Sequence, residues 1–91
     1  MLFLRLCIDK PDALELRNQH RDDHRAYLGS GVAKIVQAGP LLDESGDMAG
    51  SMIIVDAESL GDVQAFHDDD PFTKVGLFDK VLLYKWDRHI G

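Results

Sequence analysis

Two stretches of this chain, Met52-Ile53-Ile54-Val55 and Val81-Leu82-Leu83-Tyr84 with Trp86 beyond, are apolar at successive positions, so both alternating sets of side chains are hydrophobic. A strand covered on one side reads instead as an alternation of apolar and polar residues. Continuous runs in short strands therefore ask for cover on both faces of the sheet. Ninety-one residues make a single domain, 1–91, with a thin margin of buried surface. The most economical cover for the second face is a copy of the same sheet in a homodimer.

The order of elements narrows the architecture further. Leu2, Leu4, Leu6 and Ile8 alternate with Phe3, Arg5, Cys7 and Asp9, the period of a half-buried strand. Lys10-Pro11-Asp12 breaks it, and Asp12 is placed to cap a helix running to about Leu28, ended by Gly29-Ser30-Gly31. Val32 to Ala38 reads as a second strand. Gly39-Pro40 then opens a polar loop through Asp47, followed by a third strand from about Gly50 to Asp56. Ser59 caps a second helix, Leu60 to about His67, with Leu60, Val63 and Phe66 spaced for one buried face. Asp70-Pro71 starts a short helical turn through about Val75, and Phe78 to Trp86 is the last strand. This βαββαβ order is that of a ferredoxin-like α+β fold: an antiparallel sheet with two helices on one face, here dimerising through the other.

The net charge of −6 argues against a protein that grips a nucleic-acid backbone. The apolar N-terminal run is short and interrupted by Arg5, so neither a secretory signal nor a membrane span is expected. One cysteine, Cys7, excludes an internal disulfide framework and reads as a packing residue. The expected setting is cytoplasmic.

One helical stripe breaks the core pattern. Leu14, Arg17, Arg21, His24 and Leu28 fall within an arc of roughly 80° on the first helix, where a buried face normally carries only apolar side chains. Two guanidiniums and an imidazole do not sit unpaired in a core, so the stripe borders a wet cleft suited to a small anion. His24 is the candidate acid–base residue. Asp70, beside Pro71 and Phe72, is placed both to cap the following turn and to orient a histidine, whereas Asp68 and Asp69 read as solvated. Asp70→Asn should on this reading keep the cap and leave stability nearly unchanged. His20 and His24 have metal-ligand spacing, but Arg17 and Arg21 would repel a dication, and no metal site is expected. His67 and His89 default to the surface. Gly39-Pro40 reads as a turn beside the cleft, and Ser51 as a hydroxyl able to point into it.

Together the spacing Arg17-x3-Arg21-x2-His24, the Ala38-Gly39-Pro40-Leu41 segment, Gly50-Ser51, and Asp70-Pro71-Phe72 followed by Gly76 resemble the YCII-related (YciI-like) family along nearly the whole chain. The resemblance implies a dimeric α+β barrel and a His-Asp pair that carries over onto His24 and Asp70. Arg17, Arg21 and Ser51 match its motif positions, and with Gly39, Pro40 and Phe72 they make up the substrate-binding set. The family includes dehydrochlorinases of chlorinated hydroxyhydroquinones, so the implied activity is lyase-like or isomerase-like proton transfer on a small hydroxylated aromatic or enolisable anion, with no cofactor. The alternative is a non-catalytic small-molecule binding domain in which His24 only hydrogen-bonds its ligand.

Overall fold

A computed structural model describes residues 1–91. Its elements are β1 (Leu2–Asp9), α1 (Leu14–Leu28), β2 (Lys34–Leu42), β3 (Met48–Asp56), α2 (Leu60–Asp69), α3 (Pro71–Lys74) and β4 (Phe78–Trp86). The four strands form one antiparallel sheet in the order β2-β3-β1-β4, the ferredoxin-like arrangement. None of the helices is long and apolar enough to cross a membrane.

Register decides what each face carries. Arg5 lies opposite Ile53 on β3 and Leu83 on β4, and Cys7 lies opposite Ser51 and Val81. Because side chains alternate, Phe3, Arg5, Cys7 and Asp9 share one face with Ser51, Ile53 and Val55, under the helices. Leu2, Leu4, Leu6 and Ile8 share the other with Met52, Ile54, Leu82, Tyr84 and Trp86. The core lies on the helix side, where Ile53, Val55 and Phe66 cluster with Tyr27, Leu28 and Ile35 around them. No helix packs on the second face, and Leu82 and Tyr84 there are 45% and 59% exposed, although Ile54 of the inner strand β3 is buried.

Four local expectations change. Asp12 does not cap α1: it turns through the left-handed region at φ 56°, which closes the Pro11-Asp12 turn, and Ala13 takes the cap position without a side-chain bond. Gly39 and Pro40 lie inside β2, not in a loop. The strand is at the sheet edge, where a residue lacking an N–H is tolerated, and Pro40 sits opposite Ser51. The real turn is shorter and is built by the Asp43 carboxylate, which accepts the Ser45 and Asp47 amides, with Gly46 at φ 85°. β3 accordingly starts at Met48, and Leu60 stays 47% exposed, so the buried face of α2 is Val63, Phe66 and His67. Ser59 and Asp70 cap α2 and α3 as their sequence positions suggest, accepting the amides of Asp62 and Phe72.

Candidate functional site

Helix α1 lays its polar stripe over the sheet beside a cavity of about 210 Å³. Arg17, Arg21, His24 and Arg25 form its helical wall, Ser51 and Ile53 of β3 its floor, and Gly39-Pro40 of the edge strand its rim. Of the stripe, Arg17 and His24 are buried and Arg21 is half-buried. The β1–β3 pair is pressed close at this point, since a side chain at Gly50 would collide with the Cys7 carbonyl.

His24 and Asp70 meet as the sequence suggests. The His24 Nδ1 lies 2.9 Å from Asp70 Oδ1 and 3.0 Å from Oδ2, with the carboxylate fully buried. Burial alone would push the Asp70 carboxyl up. The hydrogen bond from His24, the charges of Arg5 and His24 and the Phe72 amide outweigh it and hold the group below its ordinary value. An ionised carboxylate only accepts, so Nδ1 carries the hydrogen and donates, and Nε2 is the ring nitrogen this contact leaves unused. The ring is held from behind by Phe72, stacked at 4.1 Å and 15°. Phe72 is itself fully buried and does not line the cavity, so it supports the histidine rather than touching a ligand.

Arg17 is a tether. Its Nε and Nη2 donate to the two oxygens of Asp9 at 2.7 and 2.9 Å, Nη2 also donates to Ser51 Oγ at 2.9 Å, and the guanidinium lies 4.7 Å from the Phe72 ring centre. This bidentate pair neutralises Arg17 within the protein and fixes Ser51 in the cavity floor. Arg21 and Arg25 have no ion-pair partner, so they are the cations left for an incoming anion.

Asp9, Arg5 and His67 were not legible as site residues. Asp9 and Arg5 belong to the Phe3-Arg5-Cys7-Asp9 set of β1, whose mixed polarity disguises a buried face. His67 is 7% exposed, not at the surface: it follows Phe66 on the Val63-Phe66-His67 stripe and stacks on Phe78 at 6.1 Å. Burial, aided by Arg5, lowers its pKa below the ordinary histidine value. His89 is exposed as expected, and Cys7 is a buried thiol whose pKa burial pushes up.

The YCII-related domain model matches residues 1–87. The chain is 34% identical to the protein YciI of Escherichia coli over 89 residues, covering 89% of this chain and 91% of that protein. Among solved structures it resembles 5-chloro-2-hydroxyhydroquinone dehydrochlorinase (TftG) from Burkholderia phenoliruptrix, in complex with 2,5-dihydroxybenzoquinone. That match has a TM-score of 0.90 at 39% identity, covering 98% of this chain and 96% of the other. An antibiotic biosynthesis monooxygenase from Bacteroides thetaiotaomicron shares the fold alone, at 12% identity and a TM-score of 0.61 over 99% of this chain and 90% of the other.

Proposed function

The chain belongs to the YCII-related domain family, and from that premise we propose that it is an enzyme of acid–base proton transfer acting on a small hydroxylated aromatic or other enolisable anion. The reaction class is elimination, such as dehydrochlorination, or isomerisation. One observation carries this reading: a buried, carboxylate-oriented imidazole lines a cavity whose helical wall also holds cations without partners. The likeness to a dehydrochlorinase over almost the whole chain supports the reaction class.

In the proposed step His24 Nε2 takes the proton of a ring hydroxyl and passes it to the chlorine-bearing carbon, so that this hydroxyl becomes a carbonyl. Ionisation of the hydroxyl para to it then drives its electron pair into the ring, chloride leaves with the C–Cl bonding pair, and the hydroxyquinone is formed with net loss of one proton and one chloride. Asp70 stabilises the imidazolium formed, while Arg21 and Arg25 hold the oxyanion. Arg17 acts by fixing Ser51 and Asp9. The open apolar sheet face belongs to the same reading: a second copy covers it, giving the homodimer expected from the two-sided strands.

The test is chloride release from 5-chloro-2-hydroxyhydroquinone, with calorimetric binding of 2,5-dihydroxybenzoquinone measured beside it. Stoichiometric chloride release with saturable kinetics is expected, and a panel of lactones and enolisable acids extends the search to isomerisation. Binding without turnover of any of these compounds would replace the enzyme by a binding domain.

A further inference from the structure

Arg5 has no part in the proton-transfer step, yet it is, with Asp70, among the most completely enclosed charges in the molecule. It sits in the central strand β1 with no exposed surface. Its Nη1 donates to Asp70 Oδ2 at 2.7 Å, and its guanidinium carbon lies 5.4 Å from the ring centres of both Phe66 and Phe78. The other two guanidinium nitrogens, Nε and Nη2, have no hydrogen-bond partner.

Such a group is a poor choice for stability. A buried ion pair gains little over an apolar side chain of similar volume, and donors left unbonded add to the cost. Asp70 already caps α3 through the Phe72 amide, so the cap does not need Arg5. What Arg5 alone provides is a fixed positive charge on the side of Asp70 away from the cavity. With it, Asp70 and Arg5 are together neutral, and the carboxylate draws a proton onto His24 less strongly than a lone carboxylate would.

We propose that Arg5 is a positioning residue of the site: it locks the Asp70 carboxylate in place and, by balancing its charge, weakens the hold of that carboxylate on a proton at His24. This rests on reading His24 and Asp70 as an acid–base pair. The other titratable or charged groups around the pair are Asp9 and Cys7 of β1, Arg17, Arg21 and Arg25 of α1 with Tyr27, His67 of α2 with Asp68 and Asp69 at its end, and Lys85 of β4. Asp9 and Arg17 cancel each other. His67 is the other imidazole near Asp70, and Arg5 disfavours its charged form too.

The experiment is an NMR titration of the four histidine rings without substrate, in the unchanged protein and in Arg5→Lys and Arg5→Met, with the His24 signal assigned by its loss in His24→Gln. No turnover is involved, so the result stands apart from whether the enzyme reading survives. In Arg5→Met the His24 midpoint rises by about one pH unit or more, and in Arg5→Lys, which keeps the charge, it moves by less than about half a unit. If Arg5→Met does not fold, Arg5→Gln gives the same reading with a neutral donor. An unchanged His24 midpoint in a folded neutral variant overturns the proposal, as does a shift of a full unit in Arg5→Lys.

Discussion

The two faces of the sheet invert the usual order of polarity. Toward the helices, β1 presents Phe3, Arg5, Cys7 and Asp9, all buried; away from them it presents Leu2, Leu4, Leu6 and Ile8, all at least partly exposed. The chain spends its own helices on covering charges and leaves its most apolar strand face open. Burial of Arg5, Arg17, Asp9 and Asp70 is tolerable only because each is paired, and that pairing is what shapes the cavity beside His24. The open face, by contrast, carries no built polar network and is suited to association. On the proposed reading, one sheet separates chemistry from assembly.

The largest effect that would sharpen this contrast comes from Asp70→Asn. Asparagine keeps the cap, but the earlier expectation of unchanged stability ignores Arg5, whose buried guanidinium loses its counter-charge. The variant should lose about 3–5 kcal/mol of stability, read from denaturant unfolding. Combining it with Arg5→Met should recover much of that loss, since the stranded charge is then gone.

Substitutions on adjacent residues of β4 test the separation itself. Leu82 points to the open face and Leu83 to the helix side. Leu82→Glu should leave a folded chain that sediments as a monomer, with self-association weakened at least about a hundredfold. Leu83→Glu should instead lower the unfolding midpoint. Equal behaviour of the two would break the comparison.

The smallest effect is in pH. The pKa of His67 is lowered in the folded chain, so its contribution to stability is complete above the ordinary value of 6.5 and is lost as pH falls through the lowered one. The Asp70 carboxyl is also lowered, so its contribution is complete above the ordinary 3.8 and is lost only in more acid solution. Denaturant unfolding from pH 8 to 3 should show two descents in that order, and His67→Gln should remove the first.

Much of this was legible in the residues. The polar stripe on α1 named Arg17, Arg21 and His24, and Asp-Pro-Phe named Asp70, because charge on a helix's inward face is hard to explain otherwise. β4 and the two-sided strands were equally plain. Arg5 and Asp9 escaped because an alternation shows that a strand has two faces, not which one the helices choose, and hydrophobicity pointed to the wrong set. Pro40 was misplaced because a proline signals a turn unless the strand is known to lie at an edge. Ala13 in place of Asp12 at the cap depends on one left-handed residue that composition does not reveal.

His24 is the proton-transfer group of the proposed reaction, and the most direct measurement is the rate of chloride release from 5-chloro-2-hydroxyhydroquinone by His24→Gln beside the unchanged protein, with affinity for 2,5-dihydroxybenzoquinone measured on both. The predicted result is a fall in kcat of about 10²–10⁴-fold with affinity changed only a few-fold. A His24→Gln protein that releases chloride as fast as the unchanged one would contradict it.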